Sequence, residues 1–118
     1  MNSELLKGSL ELMVLHILSE ESDYGYSIVR KLKQKSGKIF QSGEGTLYPH
    51  LYTLEKKELI KSKWVCMENG RKRKYYSITS KGKGHLKKQK IQWLKLVSLV
   101  TSIIEDESYA LKYELSLS

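Results

Sequence analysis

After Ile60 the apolar residues stop recurring at three- and four-residue steps and begin to alternate, and this change of period constrains the fold more than any other feature of the chain. Two β-prone runs, 61–67 and 71–79, flank Asn69-Gly70. Asn-Gly between such runs is the strongest short hairpin signal, because a type I′ turn needs positive φ at both central residues. A two-residue loop would set Glu68 opposite Arg71 and Trp64 opposite Tyr75, and would project Arg71, Lys72, Arg73 and Lys74 into solvent at the tip. Helical patterns stand on both sides of the hairpin. The expected class is mostly α with a small β-hairpin (α+β).

The first helix is expected over 4–19, with Leu6, Leu10, Met13, Val14 and Ile17 on one stripe and Leu12, Leu15 and Leu18 on a second. A helix apolar over so much of its circumference is covered on two sides, either by its own domain or by a second chain, which makes Leu6 and Leu10 candidate dimer contacts. Glu20 to Asp23 is a polar break that supplies N-caps, and 24–34 reads as a second helix with Ile28 and Leu32 inward. A third covers 44–59 with a seam of Leu47, Leu51 and Leu54. Its start has two readings. With Thr46 as N-cap, Pro49 lies in the tolerated first turn; with Ser42 as N-cap, Pro49 lies inside and bends the helix. The last helix runs from Thr79 or Ser80 to about Glu107 on a heptad seam of Leu86, Trp93 and Val100, joined by Leu96 and Ile103. Ile91, Leu94, Val97, Leu99 and Ile104 widen its apolar surface, so it is expected to contact both its own domain and a partner chain. The expected division is 1–79 and 80–118.

Charge indicates the partner. Residues 61–95 hold twelve cationic side chains and one carboxylate, Glu68, whereas 1–60 hold eight of each sign and 96–118 hold one cation and four carboxylates. So dense a positive block favours a polyanion, nucleic acid before anionic lipid. A chain of 118 residues has room for one core and not for a separate cofactor lobe. His16, His50, His85 and Cys66 lack metal-ligand spacing, and Gly43-Glu44-Gly45-Thr46 lacks the ending of a phosphate loop. Neither metal, cofactor nor enzymatic activity is expected. One cysteine and an N-terminus without signal-peptide character point to the cytoplasm, and Leu94 to Ile104 is too short and too interrupted to span a membrane, which takes ~20 apolar residues.

Three helices, a basic hairpin and a long helix, in that order, make a winged helix-turn-helix followed by a dimerisation helix. A helix fits the major groove of B-DNA, ~12 Å wide, while a flanking wing grips phosphates. At about 100° per residue, a third helix with its leucine seam inward turns Pro49, Tyr52, Thr53 and Lys56 outward and sets Thr46 and Tyr48 on its flanks. These six, with Ser42 and with Arg71, Lys72, Arg73 and Lys74 of the wing, are the expected DNA contacts. His50 falls nearer the buried seam.

Several of these segments resemble the PadR transcriptional regulators: Gly8-Ser9-Leu10-Glu11-Leu12, Tyr24-Gly25-Tyr26, the run from Gly45 to Glu55 with Leu59-Ile60, and Arg73 to Thr79 with Gly82. The most specific is Gly45-Thr46-Leu47-Tyr48-Pro49, and the short chain with one C-terminal helix is similar to the compact members. The resemblance implies a homodimeric repressor on a short inverted repeat of double-stranded DNA, released by a small molecule. Tyr52 and Thr53 stand where many members are basic. Leu6, Leu10, Leu86, Trp93, Leu96, Val97, Val100 and Ile103 are the expected dimer interface. Trp93 has two readings: it fills the dimer core, or a pair of them sandwiches a flat aromatic effector, as in certain compact members. The competing function is a winged-helix interaction module whose basic hairpin binds an acidic partner or an anionic surface.

Overall fold

In the computed structural model, which describes residues 3–37 and 44–105 and side chains within 8–37 and 46–105, seven elements follow one another. They are α1 (Ser3–Glu20), β1 (Asp23–Tyr24), α2 (Gly25–Ser36), α3 (Glu44–Lys56), β2 (Ile60–Cys66), β3 (Lys72–Ile78) and α4 (Ser80–Ile104). The strands form an antiparallel sheet in the order β1-β3-β2. Two compact units divide the chain, Met1–Leu86 and Lys87–Ser118. The first unit thus extends past residue 79, because Gly82 and Leu86 at the start of α4 are enclosed in it.

The first unit's core joins both stripes of α1 (Leu10, Val14, Leu15, Ile17, Leu18) to Ile28 and Leu32 of α2, to the α3 seam and to Ile60 and Tyr76 of the sheet. Leu10, Val14, Leu15, Ile17 and Leu18 of α1 are therefore covered by their own chain. Leu10 and Leu86 retain only 1% and 5% of their surface, so neither has area left for a dimer contact. The side chain of Leu6 lies outside the described residues. So does Ser42, although α3 begins at Glu44 and Pro49 stands inside it.

Strand β1 has no counterpart among the expected elements. It lies in what reads as a polar break, and only two residues pair, Asp23 with Tyr76 and Tyr24 with Tyr75. A buried carboxylate anchors it: Asp23 accepts from the Ser27 hydroxyl at 2.9 Å, the Lys31 ammonium at 2.7 Å and the Tyr24 amide at 3.0 Å. Hydrogen bonds to Asp23, and secondarily to Glu21, hold the Lys31 ammonium above its ordinary pKa.

The hairpin forms, in a different register. Trp64 pairs with Lys74 and Cys66 with Lys72, one residue off the expected ladder. Gly70 alone in the loop has positive φ, at 82°, which excludes a type I′ turn. The Gly70 amide donates to the Met67 carbonyl and the Met67 amide to the Arg71 carbonyl, closing the three-residue loop Glu68-Asn69-Gly70. This is a type I turn with a G1 bulge, in which the left-handed position takes the glycine. The Asn69 side chain accepts from the Arg71 amide and fixes the far side of the loop.

Helix α3 ends at Lys56, three residues before Leu59. Glu58 adopts a φ of 63°, its amide donates to the Glu55 carbonyl and the Leu59 amide donates to the Leu54 carbonyl. That pair of bonds is a Schellman cap with Glu58 at the left-handed position, and Leu59 turns back into the core beside Leu54. The Thr79 hydroxyl donates to the Glu58 carbonyl at 2.7 Å and accepts from the Gly82 amide at 2.9 Å. Thr79 is thus the N-cap of α4 and the clasp between its first turn and the end of α3.

Two measurements test this packing. Gly→Ala inside a helix ordinarily stabilises by about 0.5–1 kcal/mol. At Gly82 a Cβ would stand inside the van der Waals surface of the Leu59 carbonyl oxygen, so Gly82→Ala lowers the urea midpoint. The second measurement concerns pH. Lys31 binds its proton more tightly when folded, so its contribution is complete below the unfolded pKa of about 10.4 and is lost as pH rises through the folded value. Burial, and then the Glu55 charge, likewise raise the Tyr76 phenol, which removes stability over the same alkaline window. The stability gap between the parent chain and Lys31→Met is therefore constant up to about pH 10 and narrows above it. A gap that stayed constant above that pH as well would show that the ion pair contributes nothing.

Candidate nucleic-acid interface

The seam of α3 fixes what its other face can do. Leu47, Leu51 and Leu54 are 0–1% exposed, which pins the helix rotation and leaves Thr46, Tyr48, Pro49, Tyr52 and Lys56 on the surface. Thr53 is half-buried, and its hydroxyl donates to the Pro49 carbonyl at 3.0 Å, so its donor is spent within the helix. His50 is half-buried, beside the seam. The outer face combines a cation, two phenols and the apolar edge of a proline, a mixture suited to phosphates, base edges and thymine methyls.

Helix and wing are tied together. Glu55, near the end of α3, accepts a short hydrogen bond from the Ser62 hydroxyl on β2. The cations of the wing differ in their surroundings. Arg73 lays its guanidinium over the Tyr24 ring, 4.3 Å from the centroid, and Tyr24 in turn packs against Tyr75 at 5.3 Å. The Lys74 ammonium stands 5.7 Å from the Tyr76 ring and its side chain is half-buried. Arg71 and Lys72 are exposed. Three of the four, Arg71, Lys72 and Arg73, are thus exposed, and Arg73 and Lys74 stand against aromatic faces, where a ring quadrupole favours a cation. Among the described residues none of the four has a carboxylate partner, so their charge is uncompensated.

Between wing and α3 lies a cleft of about 570 Å³. Tyr48 and the cations Lys72, Arg73 and Lys74 line it, as the sequence places them, but so do Tyr24, Gly25, Tyr26, Trp64 and Tyr76. These five were not among the expected contacts. Trp64 and Tyr76 stand among the basic residues of the wing, whereas Tyr24, Gly25 and Tyr26 carry no local signal and reach the cleft through β1 and the start of α2. A Cβ on Gly25 would stand 2.8 Å from the Tyr48 hydroxyl, so glycine there lets the Tyr48 ring close against the start of α2.

In the second unit, α4 exposes Trp93, Leu96, Val97, Val100 and Ile103 at three- and four-residue steps, with Ile91, Leu94, Leu99 and Ile104 also exposed. Trp93 is 41% exposed. Among the described residues no three His, Cys, Asp or Glu side chains converge on a metal position, and no helix is long and apolar enough to cross a membrane.

Comparison with known proteins agrees with this arrangement. The model of the transcriptional regulator PadR-like family matches residues 14–88. A PadR-like transcriptional regulator from Bacillus cereus is 40% identical, with a TM-score of 0.75 over 86% of this chain and 96% of that one. A PadR-like transcription factor from Bacteroides fragilis is 36% identical (TM-score 0.72, 86% and 95% covered). A transcriptional regulator from Clostridium thermocellum is 28% identical (TM-score 0.79, 88% and 98% covered). Four helices and a small three-stranded sheet are shared with these neighbours, and the family is one of regulators, not enzymes. The matched segment contains the whole α3 surface and the wing, and the chain belongs to the PadR-like family of transcriptional regulators.

Proposed function

We propose that the protein is a homodimeric repressor acting in the cytoplasm, which binds an inverted-repeat operator in double-stranded DNA and is released by a small-molecule effector. The observation that carries the DNA reading is the pairing of a rotationally fixed α3, polar on its outer face, with a wing whose cations lack carboxylate partners among the described residues. Helix α3 enters the major groove through Thr46, Tyr48, Pro49 and Tyr52, and the wing takes the phosphates alongside through Arg71 and Lys72. Support for the dimer comes from the apolar residues that α4 exposes from Ile91 to Ile104, a surface that water disfavours and a second copy would cover. The first unit reads DNA and the second pairs the protomers. Trp93 sits on the seam as an aromatic wall for a flat effector or as packing between protomers, and the expected effector is a small aromatic compound.

Selection of operator fragments, followed by titration at several salt concentrations, tests this reading. A dimer should protect two half-sites about one helical turn apart, ~34 Å centre to centre. Lys72→Ala should lower the log–log salt slope by about 0.9 per half-site with little change in sequence preference. Arg73→Ala should cost more than its share of the slope, because it also removes the cation seated on Tyr24. An unchanged slope in both variants would remove the wing from the interface. Val100→Lys should convert the dimer to monomer in sedimentation and weaken operator binding with it; a dimer that survives the substitution would move the interface off this seam.

A further inference from the structure

Duplex DNA accounts for the cations of the cleft between wing and α3 and for Tyr48, and leaves Tyr26 and Trp64 without a role. The cleft holds about 570 Å³, within the range of small-molecule sites (~300–1,000 Å³), and among the described residues no carboxylate lines it. Tyr26 and Trp64 line it with 59% and 65% of their surface exposed, beside Tyr48, whose ring closes against Gly25. In a B-form duplex the bases stack on one another and present only edges, sugars and phosphates to a protein. The exposed rings of Tyr26 and Trp64 therefore find no ring partner in the operator. Opposite Trp64 on the ladder stands Lys74, and Lys72 lines the same cleft. Rings and cations converging without an acid select a planar ring that carries a negative group.

We propose that this cleft binds an aromatic anion of mononucleotide size, its ring stacked on Tyr26 and Trp64 beside Tyr48 and its negative group held by Lys72 and Lys74, and that this occupant and operator DNA exclude each other. The site is distinct from Trp93, and only the exclusion rests on the DNA reading above. Exclusion follows from shared parts, since Tyr48 and Lys72 belong to both sites.

The two tryptophan indole N–H resonances of the full chain provide the test, because Trp64 lines the cleft and Trp93 does not. Adenosine monophosphate, adenosine and inorganic phosphate are titrated without DNA. The expected result is that adenosine monophosphate moves the Trp64 signal, leaves Trp93 in place and binds at least about tenfold more tightly than either fragment alone, since stacking and charge both contribute. Trp64→Ala and Lys74→Gln, both checked for an unchanged melting temperature, should each weaken it by about tenfold. The proposal is overturned if inorganic phosphate binds as well as the nucleotide, if only Trp93 responds, if Trp64→Ala binds normally, or if millimolar nucleotide shifts neither signal. In a second arm, adenosine monophosphate should displace a labelled operator duplex; a duplex retained at saturating nucleotide overturns the exclusion. A chain that binds the nucleotide in this manner and binds no duplex supports the cleft and overturns the DNA reading instead.

Discussion

One hydroxyl group joins the three parts on which the fold depends. Thr79 donates to the carbonyl of Glu58, at the cap of α3, and accepts from the Gly82 amide, in the first turn of α4, while its own amide donates to the Leu59 carbonyl at the root of the wing. The contact is close enough that position 82 has no room for a side chain. Helix α3 therefore ends where β2 must begin, and α4 must start within a few ångströms of both. The rotation of α3 follows from its buried leucine seam, and its position relative to the wing from this clasp together with the Glu55–Ser62 bond. A surface that reads DNA with two elements needs that fixed spacing more than it needs any single contact, because groove and phosphate backbone are held apart by the duplex itself.

The wing shows how a basic surface is kept in order. A free arginine or lysine carries considerable rotamer entropy, and immobilising it against a phosphate forfeits that entropy at the moment of binding. Seating Arg73 on Tyr24, and Lys74 near Tyr76, restricts both before any ligand arrives. Both rings are held from below: Tyr76 is buried in the core, and Tyr24 is paired through β1, whose neighbour Asp23 is itself fixed by Ser27 and Lys31. The chain of support thus runs from a buried carboxylate to an exposed guanidinium.

Most of the architecture was legible in the sequence because it is written in periods. The seams of α1 and α3 recur at helical steps, the alternation after Ile60 marks the strands, and the leucines of α3 fix its outward residues. What escaped are features with no periodic signal. Strand β1 is two residues long, held by long-range partners that a local reading cannot see. The end of α3 lacks the customary glycine, since Glu58 itself takes the left-handed conformation. Asn69-Gly70 invites a two-residue turn, yet only Gly70 goes left-handed, and the whole ladder shifts by one residue. Leu10 and Leu86 lie on the apolar stripes that the dimer reading drew on, and periodicity alone does not tell a stripe that faces its own core from one that faces a partner. The aromatic lining of the cleft comes from β1, α2, α3 and the wing, which no window of sequence contains.

The loop and the short first strand also settle how the sheet meets other chains. Strand β1 covers β3 only at Tyr75 and Tyr76, which leaves Lys72, Arg73 and Lys74 along an unpaired backbone edge. On the opposite side β2 presents Lys61 and Lys63, both exposed, and the bulge at the hairpin tip twists the ribbon away from flatness. An incoming strand would have to bring its amides alongside a row of like charges on either flank. Edge-to-edge pairing is thus disfavoured at this sheet, and the charge along its flanks works against filament growth when molecules are crowded together.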